Sequence, residues 1–172
     1  MIRYQLAKLV EWAGTLDSHK RLQKVLFLLQ ASGYPVNADY SLHLSGPYSE
    51  EIAQLSDDMV QAGVLKQVPR LNAAGLWRAY RLTPRAIREI SEFEGTPKGK
   101  KLAKQLSSFA KRAKQLLDTD IRILDVASTI VYFRQQGCSW PISIDKTCKF
   151  KDLVANSSVV MEAEGLAHDF VA

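Results

Sequence analysis

Residues 46–82 constrain the fold more than any other stretch, because the hydrophobic period changes inside them and stop signals bound each change. Gly46-Pro47-Tyr48-Ser49 reads as a turn followed by a helix N-cap. Ile52, Leu55, Met59 and Val60 then recur at helical spacing, and Gly63 stands where that helix must end. Val64-Leu65 follow, then a polar loop containing Pro69 and Gly75, then a strand over 76–82. In that strand Leu76, Tyr80 and Leu82 share a face with Arg78, while Trp77, Ala79 and Arg81 take the other.

Helix, glycine stop, apolar pair and long-tipped hairpin is the order of a winged helix-turn-helix. The chain before it agrees. Ile2, Leu6, Leu9, Val10 and Ala13 form a helical stripe ended by Gly14. Asp17 or Ser18 can cap a second helix through Leu22, Val25, Leu26 and Leu29, which Phe27 and Leu28 widen enough to predict a central position. Ser32-Gly33-Tyr34-Pro35 closes it, and residues 40–44 alternate as a short strand. Thr83-Pro84 caps and opens a helix through Ile87, Ile90 and Phe93.

The fold class expected is mainly α with a small β-sheet: a winged helix-turn-helix-like module over 1–94, a linker at 95–99, and a helical C-terminal subdomain over 100–172 packing on the first. The linker reading rests on Gly95-Thr96-Pro97-Lys98-Gly99. Beyond it, Leu102, Leu106, Phe109, Ala113 and Leu116 follow one helical period. Asp118 or Thr119 caps the next helix, which runs to Gly137 and is apolar on more than one face. That segment, 119–136, is expected at the centre of the helical part or at a homodimer interface. Residues 138–149 read as irregular, marked by Trp140-Pro141, with short helices near 150–155 and 158–168.

Composition excludes several function classes. A hydrophobic fraction of 47% in 172 residues is enough for a core without staples. Cys138 and Cys148 are too few for a disulfide framework or a four-cysteine zinc site. No phosphate loop occurs, and His19, His43 and His168 never pair at ligand spacing. Glu50-Glu51 and Asp57-Asp58 are adjacent acids whose side chains diverge on a helix, which disfavours a local carboxylate dyad. The expectation is a non-enzymatic, cytoplasmic protein with no cofactor, no metal and no membrane span.

The net charge of +5 is unevenly spread. Residues 96–117 hold seven bases and no acid, whereas 46–65 hold Glu50, Glu51, Asp57 and Asp58 and no base. Three basic features suit a phosphate backbone. Lys20, Arg21 and Lys24 follow His19 at the start of the second helix; Lys66, Arg70, Arg78 and Arg81 lie in the hairpin; Lys100, Lys101, Lys104 and Lys111 lie on the lysine-rich helix. The helix over 49–62 is the exception. It holds the position of a DNA reader but offers four carboxylates that phosphate would repel.

Two short motifs add a family resemblance. Arg21-Leu22-Gln23-Lys24-Val25-Leu26-Phe27 and Gly46-Pro47-Tyr48-Ser49 resemble the YwgA-type family of small uncharacterised bacterial and archaeal proteins, and more remotely the Panacea domain of antitoxins and proteolytic adaptors. The match covers 18–82 well and the helical remainder loosely. The resemblance implies a winged-helix-like fold, regulatory or defence-linked roles and a protein partner. The leading reading is thus nucleic-acid-linked regulation through the hairpin and the lysine-rich helix, with duplex DNA or another nucleic acid as partner. The alternative is a protein-interaction module using Glu50, Glu51, Asp57 and Asp58.

Overall fold

Among the described residues, seven helices begin where a hydroxyl or carboxylate takes up an orphan amide. The structure, a computed structural model, describes residues 2–72 and 75–171. Helix α1 (Ile2–Ala13) ends at Gly14, whose φ of 68° only glycine adopts without strain. Ser18 caps α2 (His19–Ala31) by accepting from Arg21 N–H at 3.1 Å. Ser49 caps α3 (Glu50–Gln61). That helix ends in a Schellman motif: Gly63 N–H donates to Val60 O at 3.1 Å and Val64 N–H to Met59 O at 2.9 Å. The expected Thr83-Pro84 start holds for α4 (Pro84–Gly95).

The hairpin is longer than the sequence suggests. Strand β3 (Leu65–Asn72) pairs with β4 (Gly75–Leu82) over its whole length, so the residues expected as a polar loop form a ladder. Pro69 is tolerated there because a two-stranded ribbon leaves every other amide facing outward. The tip of that expected loop, 73–74, lies outside the described residues. Leu16 exchanges backbone hydrogen bonds with Tyr80 at 2.9 and 2.8 Å, adding a one-residue third strand between α1 and α2.

A second ribbon was not expected. Gly46-Pro47-Tyr48, read as a turn, forms a strand of its own. β1 (Ser41–His43) pairs antiparallel with β2 (Gly46–Tyr48), and Gly46 turns the chain at φ 95°.

The helical part departs from expectation at its joints. Thr96 ends α4 and also caps α5 (Pro97–Ser107), so 95–99 is a one-residue hinge between packed helices and not an open linker. Gly99 sits inside α5, where a Cβ would meet Phe93 O at 1.8 Å. The single helix expected through Leu116 breaks before α6 (Ala110–Leu117). Ser107 and Ser108 bond back to Lys104 O and Gln105 O, and Phe109 turns edge-on to Tyr34 at 5.3 Å. Asp120, rather than Asp118 or Thr119, caps α7 (Ile121–Gln135). The stretch read as irregular is α8 (Trp140–Lys151): Ser139 caps it and Pro141 sits in its first turn, where a missing amide costs nothing. The helix expected at 150–155 is absent. The chain closes with α9 (Ser158–Phe170).

One apolar core joins both parts, running from Leu6 to Phe170. Helix α2 is its axis, with Leu22, Val25, Leu26, Leu28 and Leu29 fully buried, each contributing about 2 kcal/mol of transfer free energy. Helix α7 packs on α2, β2, α8 and α9, which buries Leu124 and 126–131. Its all-round apolarity, the reason for expecting a homodimer, is therefore satisfied within the chain. Among the described residues no helix is long and apolar enough to cross a membrane.

Candidate functional site

The two motifs that stand out in the sequence meet in space. Gln23, buried on α2, accepts from Ser49 N–H at 2.9 Å and donates to Ser49 O at 2.9 Å, pairing with that residue's backbone as a neighbouring strand would. The next residue, Lys24, donates from Nζ to Pro47 O at 2.9 Å. The second amide hydrogen of Gln23 points at His19 Nε2, 3.1 Å away, which makes that nitrogen an acceptor. His19 Nδ1 then carries the proton and donates to Tyr80 Oη at 3.1 Å. Burial lowers the His19 pKa, with Asp57 opposing and Lys24 adding, which agrees with a neutral ring.

Beneath this junction, three lysines converge on one carboxylate. Asp125 of α7 pairs with Lys20 at 3.2 Å and Lys151 at 3.0 Å. Lys24 Nζ lies close by under Gly46, where burial pushes its pKa down to about 8; Asp125 opposes that shift, and Lys151 and Lys20 add to it. Gly46 closes over the group. A Cβ there would come within 2.8 Å of both Asp125 Oδ1 and Thr129 Oγ1. A cleft of about 520 Å³ opens outward from Lys20, Asp125 and Lys151, with Leu44 and Phe150 on its apolar side.

The residues expected to bind nucleic acid divide into two groups. Lys20, Arg21 and Lys24, at the start of α2, each meet a partner within the molecule. Lys24 is 1% exposed, Lys20 is engaged by Asp125, and Arg21 reaches across to the end of α6. There its Nη1 donates to Leu117 O at 3.1 Å and Thr119 O at 2.5 Å, and lies 3.5 Å from Leu116 O. The helix dipole is answered by side chains of this same molecule. Lys66, Arg70, Arg78 and Arg81 do lie on the exposed ribbon, with Lys66 opposite Arg81, Arg70 opposite Trp77 and Arg78 bonded to Gln67 at 2.9 Å. Arg81 is held at the ribbon base by Thr15 at 2.7 Å. Lys100, Lys101, Lys104 and Lys111 are exposed on α5 and α6, with no ion pair among the described residues.

Glu50, Glu51 and Asp57 are exposed on α3 and Asp58 half-buried, with Gln54 bonded to Asp58 at 2.9 Å. Among the described residues none of the four pairs with a lysine or arginine. No group of three or more His, Cys, Asp or Glu among them is arranged to hold a metal ion. Sequence reasoning missed Asp125 and Lys151. The one available signal was a lone acid inside the apolar helix 119–136.

No protein-family model matches the chain. It is 28% identical over 79 residues to "Uncharacterized protein YwgA" of Bacillus subtilis (strain 168). The match takes in 46% of this chain and 48% of the relative, so it spans about half the length of the curated protein it resembles.

Proposed function

We propose that this chain is a non-catalytic regulatory protein of winged helix-turn-helix type that binds duplex nucleic acid through the β3–β4 ribbon. The order of α1, the Leu16 bridge to Tyr80, α2, α3 and the hairpin supports that architecture. The observation that carries the binding role is the ribbon itself. Lys66, Arg70 and Arg78 are exposed along it, no acid occurs between residues 66 and 88, and its outer end bears Leu71 and Leu76 at 80% and 70% exposure. Arginines beside an apolar tip suit a minor groove, where guanidinium groups follow the phosphates and leucines wedge against base edges. The unpaired lysines of α5 and α6 supply a further phosphate-binding surface. Helix α3 faces elsewhere in this reading, since its carboxylates oppose phosphate.

Fluorescence anisotropy with a short labelled duplex tests this. Log affinity should fall with log salt at about −0.9 per phosphate neutralised. A Lys66→Ala, Arg70→Ala, Arg78→Ala variant should lose most of that affinity. Absence of binding at low salt would sink the proposal.

A second reading is favoured by α3 alone: Glu50, Glu51 and Asp57, exposed and without an ion pair among the described residues, fit a basic protein partner, as an interaction module of antitoxin or adaptor type would need. Glu51→Lys with Asp57→Lys should then abolish capture of that partner while the fold persists. Retention of the partner by this variant would count against it.

A further inference from the structure

We propose that the cleft between Lys20, Asp125 and Lys151 is a binding site for a small organic phosphate. Lys20, Lys24 and Lys151 gather at a single carboxylate, three cations to one anion, and among the described residues Asp125 is the one ion-pair partner of Lys20 and Lys151. Arg122, which also lines the cleft, is paired with Asp120 at 3.1 Å. Three ammonium groups around one carboxylate repel one another in a partly desolvated setting, and an incoming dianion removes that repulsion. Lys20 is the accessible member, with its side chain 43% exposed, while Asp125 and Lys151 are at 13% and 9%.

The apolar side of the cleft sets the ligand class. Leu44 is 94% exposed and Phe150 38%, and both line the same opening as the lysines. Inorganic phosphate would leave that side bare. A phosphate ester with an apolar or planar body would cover it and place its charge against Lys20 and Lys151. No residue of β3 or β4 lines the site, so it does not depend on how that ribbon is used.

Isothermal titration of the full chain with phenyl phosphate, inorganic phosphate and benzyl alcohol tests this. Phenyl phosphate should bind tightest and benzyl alcohol should not bind. Lys20→Gln should weaken phenyl phosphate about tenfold, as loss of a charge-assisted contact does. Lys149→Gln, outside the cleft and paired with Asp145, should leave it unchanged, as should the ribbon variant. Asp125→Asn removes the internal counter-charge, so phenyl phosphate should raise the Tm of that variant more than that of the parent. Sedimentation with phosphatidic acid vesicles, abolished by Lys20→Gln, would assign the phosphate to a lipid headgroup; binding of phenyl phosphate without sedimentation assigns it to a soluble ligand. No saturation by about 10 mM phenyl phosphate, or equal affinity in Lys20→Gln, overturns the proposal.

Discussion

Gln23 and Ser49 form a closed pair in which one side-chain amide satisfies both backbone groups of a buried residue, at 2.9 Å each way. The pair fixes the entry of α3 against α2 across 26 residues of chain. Ser49 can cap α3 because its backbone is held there.

Gln23→Leu fills the same space but leaves the Ser49 amide buried without a partner, while the Ser49 carbonyl keeps only the Ala53 N–H at 3.1 Å. A buried amide without a partner costs about 1–3 kcal/mol, so a loss of about that size is expected. Urea denaturation should show a lower midpoint with an unchanged m-value. A loss below about 0.5 kcal/mol would mean that water enters and replaces the amide.

Arg21→Lys keeps the charge but ends one bond short of the guanidinium nitrogen that makes these contacts. Both the Leu117 and Thr119 carbonyls accept from the single Nη1, which a lysine ammonium falls short of, so the end of α6 should fray at a cost of about 1–2 kcal/mol. Hydrogen exchange of α6 amides checks this, with faster exchange confined to that helix as the expected result.

The lysine cluster predicts how stability follows pH. The Lys24 pKa is about 8 in the folded chain, below its ordinary value of 10.5, so the unfolded chain holds the extra proton between these limits. Stability therefore rises with pH from about 8, until buried tyrosines such as Tyr34 and Tyr40, whose pKa values are raised by burial, oppose it near pH 10. His19 acts likewise at lower pH: its depressed pKa means that stability falls as pH drops through about 6.5. Denaturation midpoints across pH 5–10 should show both slopes. Lys24→Met should abolish the upper one.

Gly99→Ala should destabilise by several kcal/mol, on the order of 3 or more. The added Cβ would meet the Phe93 backbone carbonyl at 1.8 Å, and no side-chain rotation relieves a clash with backbone. Gly95→Ala, with open space at its Cβ position, is the control, and its Tm should stay near that of the parent.

Much of the architecture is legible in short-range chemistry. Ser18, Ser49 and Thr83 announce their helices because a capping hydroxyl acts on an amide three residues away. Gly14 and Gly63 mark stops because a left-handed residue is a local requirement. The strand read over 76–82 falls within β4, since extended backbone is favoured there by the residues themselves. Pro69 and Pro141 mislead for the complementary reason: proline rules out an amide donor but not the ribbon or first-turn positions where none is needed.

Charge at the candidate sites was less legible, because the role of a polar side chain depends on what the fold brings to it. By itself the sequence determined the order of helices and long hairpin through α4, the caps of α3 and α4 and the acidic character of α3. Only the tertiary structure decided that Lys24 is buried against Pro47, that Arg21 closes α6, and that Lys20 and Lys151 share Asp125. Lys24 lies 23 residues from Pro47 and Arg21 98 from Thr119, and Asp125 stands on a helix remote from both Lys20 and Lys151, so no local period records these partners. A lysine facing water and one buried beneath a turn read alike in sequence; desolvation and a distant carboxylate separate them.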